Sequence, residues 1–326
     1  MTMTEFAKLL GYSQSTVSRV LNNCDRNRVR PEIAEKIRQE AKRLNFRPNH
    51  GAAYLKRGKS PVILCFLPSS CDTLAAELMS GISEAAAEKR FPVNFFIEKD
   101  SSAFAAFIRE AENNSHAGII SYPPQKIHGE AKETLRRYLA NGGKVLFLNV
   151  NSNTLTAQLP PEFSSGVQLD IDDYAGGKLA AQYLQNEGCR SFYYFQRYFN
   201  IVLRQNGFKE EIRKSGFEVK DLEESFLDDV IANPDKPGIF CNSDATALYL
   251  SILLQRRGVI PGDQIKICGY DGQSFASFCT PPLPTIRQPM HEEGYLAVMK
   301  LLRMIDGENE KSEMLKPELI YQYERV

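Results

Sequence analysis

Gln14, Ser15, Ser18 and Arg19 carry the most directed hydrogen-bonding chemistry near the amino terminus, within TMTEFAKLLGYSQSTVSRVLN (residues 2–22). A glutamine amide can bond adenine N6 and N7 bidentately, and a guanidinium can do the same with guanine O6 and N7. At helical spacing these four residues lie outside a short helix whose inner face is Val17, Val20 and Leu21. An outward face of this kind suits the major groove of a DNA duplex. Solvated first-turn residues of any helical hairpin would show the same types, so the surrounding pattern has to decide.

That pattern is a helix pair. Thr2 and Glu5 have capping-box spacing, and Phe6, Leu9 and Leu10 supply an apolar face. Gly11 is placed to end the first helix, since glycine enters the left-handed region without a steric penalty. Ser13 is placed to cap the second, and the small Ala7 leaves room for a close crossing. A polar loop with Arg26, Arg28 and Arg30 follows. A third helix then begins at Pro31, with Ile33, Ile37, Ala41 and Leu44 inward and Lys36, Arg38, Lys42 and Arg43 outward. Residues 45–60 have no core of their own and read as a linker, with a possible short helix over 49–56 in which Leu55 is the one large aliphatic group.

The 326 residues carry no net charge, but the charge is unevenly spread. Residues 1–60 hold 13 Lys/Arg against 5 Asp/Glu, and the remainder is acidic by the same margin. A basic head on an acidic body suits a polyanionic partner for the head alone. The seven cysteines form no C-x-x-C pair and make no zinc spacing with the four histidines, so reduced thiols in a cytoplasmic protein are expected, with no metal and no cofactor. The start lacks an apolar signal region, and no apolar run reaches membrane-spanning length. There is no G-x-G-x-x-G turn, P-loop, G-x-S-x-G elbow or histidine beside a plausible nucleophile, so an enzyme is disfavoured.

From Pro61 onward, apolar runs alternate with helical periodicity: PVILCFL, VNFFI, AGIIS and KVLFLNV, each separated by a helix. This predicts a doubly wound parallel sheet. A Pro/Ser-rich crossing over 151–165 interrupts the rhythm, and a second series starts at GVQLDI. The expected architecture is an all-α helix-turn-helix head (1–46), a linker (47–60) and an α/β core of two lobes. Lobe 1 is drawn as 61–152 plus 287–310, and lobe 2 as 160–284 plus 311–326.

Taken together, GYSQSTVSRVLN, LNFRPN, DYAGGKLAAQYL, RQNGF, SDATAL, ICGYDG and TIRQPMHEEGYLAV resemble the LacI/GalR family of bacterial transcription regulators over nearly the whole chain. The resemblance implies a periplasmic-binding-protein-like core and a cytoplasmic, nucleoid-associated repressor. It also implies a homodimer on a near-palindromic operator, controlled by a sugar-like effector. By position, Gln14, Ser15 and Arg19 match base-reading residues, and Thr16, Ser18 and Asn22 match phosphate or local contacts. Ala52 and Leu55 match a hinge helix whose leucine wedges into the minor groove, an action that apolar side chains can perform; Leu55 packing under the head is the alternative.

For the effector, the resemblance carries over to Arg204, Asp244 and Asp271, of which Asp244 and Asp271 lie at the carboxyl ends of strands, where doubly wound sheets place ligands. Ser121 and Asn149 occupy similar ends in the first lobe. Phe240 either offers a ring face to the ligand or packs in the core, and Asp244 either contacts ligand or caps the next helix. Carboxylates and a guanidinium suit vicinal hydroxyls. The chain departs from the family pattern in a longer loop at 23–28, in Tyr12, in Arg30 at a capping position, and in Ala53. The segment QRYFNIVL is bulkier than usual and 220–237 is shortened. The absence of a leucine heptad tail points to a dimer, not a tetramer. The competing reading is a periplasmic-type binding module with no genetic role, which the basic head and missing export signal oppose.

Overall fold

A computed structural model describes residues 2–21, 28–44, 46, 60–67, 73–98, 100–124, 126–150, 159–197 and 201–321. The expectations for Asn22, residues 23–27 of the loop, residues 47–59 of the linker, Ala52 and Leu55 lie outside the described residues.

The head has three helices: α1 (Met3–Leu10), α2 (Gln14–Leu21) and α3 (Pro31–Arg43). The capping box forms, with Glu5 N donating to Thr2 Oγ1 (3.2 Å) and Thr2 N to Glu5 Oε2 (2.7 Å). Gly11 ends α1 at φ +72° with nothing near its missing Cβ, so backbone conformation alone requires glycine there. Phe6, Val17, Val20 and Ile37 are fully buried, and Phe46 stacks on Phe6 at 4.2 Å. Leu9 departs from expectation and is 61% exposed. The inward face runs through Met3, Phe6, Ala7 and Leu10, and at about 100° per residue Leu9 turns away from it. Arg30 precedes α3 without a side-chain cap, as its type implied.

The core contains two six-stranded sheets. The first is built from β1 (Ser60–Leu67), β2 (Val93–Ile97), β3 (His116–Ser121), β4 (Val145–Leu148), β5 (Val167–Ile171) and β11 (Glu313–Leu315), in the order β11-β5-β4-β3-β1-β2. The second is built from β6 (Ser191–Phe195), β7 (Val219–Asp221), β8 (Pro237–Cys241), β9 (Lys266–Asp271), β10 (Thr285–Arg287) and β12 (Glu318–Ile320), in the order β12-β10-β9-β8-β6-β7. All pairs are parallel except β10 with β12. Helices α4 (Thr73–Lys89), α5 (Ser101–Asn113), α6 (Gly129–Ala140) and α11 (Met290–Ile305) cover the first sheet. Helices α7 (Asp173–Asn186), α8 (Val202–Lys214) and α10 (Asp244–Gln255) cover the second, and the region expected to be shortened holds a single turn of 3-10 helix (Glu224–Phe226) followed by the five-residue α9 (Leu227–Ile231).

The lobe boundary needs correction. GVQLDI was expected to open the second lobe, but β5 pairs with β4 through Leu146↔Val167 and belongs to the first sheet. The Pro/Ser-rich stretch is therefore the crossover that a parallel pair requires, not the passage between lobes. Residues 313–315, expected in lobe 2, likewise join the first sheet beside β5. The chain passes between lobes at Asp172, at Gln288–Pro289 and at Lys316–Pro317. The first and third passages are tied by Asp172 N donating to Leu315 O at 2.8 Å.

Both sheets repeat one doubly wound order, with a switch point between β1 and β3 in one lobe and between β6 and β8 in the other. Ligands of such sheets lie outside the carboxyl ends of strands at that switch.

Candidate functional site: a base-reading helix and an interlobe crevice

On the head, Ser13 caps α2 by accepting from Thr16 N at 3.1 Å. Its hydroxyl also lies 2.9 Å from that of Ser15 and 2.8 Å from that of Thr16. Gln14, Ser15 and Arg19 are exposed, while Thr16 and Ser18 are half-buried. Thr4 of α1 donates to Gln14 Oε1 at 3.3 Å, which braces the glutamine at the start of the helix. Gln14, Ser15 and Arg19 thus lie exposed together on α2, with Lys36, Lys42 and Arg43 of α3 also exposed.

In the second lobe, the helix pair α7–α8 positions the central cation. A Cβ on Gly177 would stand 2.0 Å from Arg204 O, and one on Gly207 would stand 2.0 Å from Tyr174 O. Only glycine permits that crossing, which sets the start of α8 against the start of α7. Arg204 is consequently buried, and its Nε donates to Asp173 Oδ1 at 2.7 Å. Its Nη1 donates to Asn242 O at 2.9 Å and reaches Asp271 Oδ1 at 3.5 Å. The guanidinium carbon lies 3.6 Å from the Tyr270 ring centroid, and Tyr270 donates to Asp173 Oδ1 at 2.9 Å. Burial works against the arginine's charge, but Asp173, Tyr270 and Asp271 more than compensate and raise its pKa.

Asp271 ends β9 at φ +121°, and Gln288 Nε2 holds its Oδ1 at 2.9 Å. Asn149 follows β4 at φ +51°. Backbone strain at non-glycine strand ends is a mark of functional sites. Asn149 donates to both oxygens of Glu293 (2.9 and 3.2 Å) and accepts from Ile171 N, so it braces β4, β5 and α11. Glu293 is fully buried, and desolvation lifts its pKa to about 8. Ser121, at the end of β3, has a buried hydroxyl without a hydrogen-bond partner.

For Phe240 and Asp244 the structure removes one of the two expected roles. Phe240 packs in the core: it is fully buried, with the rings of Phe208, Tyr194 and Tyr270 at 5.0, 5.6 and 6.3 Å. It presents no face to a ligand, because its position on β8 points it beneath α8. Asp244 does not cap α10, since Ser243 does so by accepting from Thr246 N. The Asp244 carboxylate accepts from Thr285 Oγ1 (2.5 Å) and Gln273 N (2.7 Å), tying α10 to the loop after β9. Burial, then the nearby Asp271, pushes its pKa up to about 8 against those hydrogen bonds. Asp173, Tyr270 and Gln288 were not singled out from sequence. All three lie inside motifs quoted above, but nothing local marks them as partners of Arg204.

A model described as "Bacterial regulatory proteins, lacI family" matches residues 2–49, and one described as "Periplasmic binding protein-like domain" matches residues 181–322. The head thus carries a LacI-family regulatory domain, and much of the core is periplasmic-binding-protein-like. The chain is 25% identical over 328 residues to the sucrose operon repressor of Streptococcus mutans, covering 97% of this chain and 96% of the relative. It is 26% identical over 321 residues to the ribose operon repressor of Escherichia coli, covering 93% of each. The fold matches that of the lac repressor dimer bound to operator and the anti-inducer ONPF, with a TM-score of 0.65, 20% identity and 98% of each chain covered. None of this chain's described helices is long and apolar enough to cross a membrane.

Proposed function

We propose that this chain is a LacI-family repressor that binds a near-palindromic operator as a homodimer and changes its grip when a sugar-like molecule enters the crevice. The observation that carries the proposal is the pairing of an exposed polar α2 with a strand-end site bonded to two of the three interlobe passages. Asp173 stands just past the first passage and holds Arg204. Gln288 sits in the second and holds Asp271. A ligand that engages Arg204, Asp271 and the Ser121 hydroxyl therefore acts directly on groups that fix the lobe angle. It shifts the equilibrium only by its difference in affinity for the two arrangements. The names of the relatives, sucrose and ribose operon repressors, support the ligand class.

In this reading Gln14, Ser15 and Arg19 read bases, Thr16, Ser18 and Asn22 contact phosphate or brace the helix, and Ala52 and Leu55 enter the minor groove. Asn149, Asp244 and Phe240 serve the pocket by holding its walls. A second copy of the chain is favoured by exposed apolar groups on lobe 2, namely Ile252, Ile260 and Phe278. The two isoleucines line a cleft of about 710 Å³ with Pro281 and Leu283. Single exposed apolar residues are ordinary, whereas a cluster marks an interaction face.

Selection from random duplexes with the purified chain is the test. The expected product is a twofold-symmetric site whose affinity changes in the presence of one member of a sugar panel, with Leu55→Ala losing preference for that site. Enrichment of no symmetric site, with or without sugars, would defeat the proposal.

A further inference from the structure

We infer that the crevice refuses anionic metabolites: its effector is neutral or carries a positive group, and phosphorylated or carboxylated compounds do not bind at Arg204. This rests on the effector reading above and narrows its ligand class. Arg204 is the cation that an anion would seek, but two acids already hold it. Asp173 lies 2.7 Å from Nε and Asp271 lies 3.5 Å from Nη1. The three side chains are 4%, 2% and 11% exposed, so water screens them little. The trio carries one excess negative charge, and a phosphate approaching the guanidinium would meet the Asp271 carboxylate at the same edge. Like charges brought together in a dry site oppose binding strongly.

The remaining features point the same way. Helix amino termini favour anions, but that of α7 already has acids in and beside its first turn: Asp172 and Asp173. The arginines nearest the strand ends are also engaged. Arg197 lies over the Tyr249 ring at 3.5 Å and 3.9 Å from Glu224, and Arg287 pairs with Glu318. Lys126, after β3, is exposed, and a single solvated lysine attracts an anion weakly. At the strand ends stand the Asp271 carboxylate and the buried, unpartnered Ser121 hydroxyl, groups whose oxygens suit a polyol's O–H groups or an amine's N–H groups.

The test uses inorganic phosphate and the purified full chain, by calorimetric titration and melting midpoint against chloride at matched ionic strength. In each case the reading is the part of phosphate binding that adding Arg204→Gln removes. The wild-type chain should show none. Asp271→Asn keeps an oxygen for Arg204 and Gln288 but removes the excess negative charge, and it should gain saturable binding about tenfold or more above wild type. Asp173→Asn carries the same expectation and serves if Asp271→Asn does not fold. Saturable, Arg204-dependent binding to the wild type overturns the inference. So does a folded Asp→Asn variant that gains nothing. The readout needs neither operator nor effector, so loss of the repressor reading would leave it standing and its own failure would leave DNA binding untouched.

Discussion

Arg19 is exposed on α2, opposite the buried Val17 and Val20, with a side chain free to reach a base edge. Arg19→Ala should cost about 1–3 kcal/mol of operator affinity and relax preference at one base pair. Competition binding with single-base variants of the selected site would check this. Equal loss against every sequence would instead make Arg19 a phosphate contact. Glu293 raises a different question at the same scale. Its folded pKa of about 8 lies above the ordinary carboxylate value, so the folded state holds a proton that the unfolded chain has released. Its contribution to stability is fullest below the ordinary carboxylate pKa and is lost as pH rises towards 8. Glu293→Gln should therefore gain on wild type between about pH 5 and 8, by at most about 1.4 kcal/mol per pH unit. Thermal melts of both proteins across that range measure the difference.

At the scale of elements, the α7–α8 crossing is the feature on which the effector site depends. Gly207→Ala would set a methyl 2.0 Å from Tyr174 O, which backbone cannot yield cheaply. The helices must part, at a cost of about 1–3 kcal/mol. Arg204, three residues earlier on α8, would move with them, so sugar binding should weaken along with the melting midpoint while α2 keeps its DNA contacts. Gly216→Ala is the control, since its φ of +83° makes it strained but nothing crowds its Cβ. These elements were largely legible beforehand. Capping box, Gly11 stop, Ser13 cap and the strand–helix alternation rest on side chains within a few residues of one another. Leu9 failed because a run of apolar residues near a helix end does not say which of them the third helix will cover.

For the molecule as a whole, charge and hinge give separate expectations. With the positive excess confined to residues 1–60, operator affinity should fall with salt at a log–log slope near −0.9 per neutralised phosphate. Sugar affinity, set among buried and paired charges, should hardly change. Titrations of each ligand at several salt concentrations separate the two. Gln288→Leu removes the amide that links Asp271 to the second interlobe passage. The sugar should still bind, but its effect on operator affinity should shrink from the usual range of about 5–150-fold towards none. Full retention of that effect would place the coupling elsewhere.

The sequence by itself determined the helix-turn-helix with its outward polar face, the two doubly wound series and the strand ends at which Ser121, Asn149 and Asp271 stand. Each follows from periodicity, caps and motifs that operate over short spans of chain. The tertiary structure alone decided that β5 and β11 close the first sheet, that Phe240 is core, and that Asp173, Tyr270 and Gln288 surround Arg204. Those outcomes join positions tens to more than a hundred residues apart, such as Asn149 with Glu293, and such pairings are chosen by packing and by the need to satisfy buried charge. No local pattern records them.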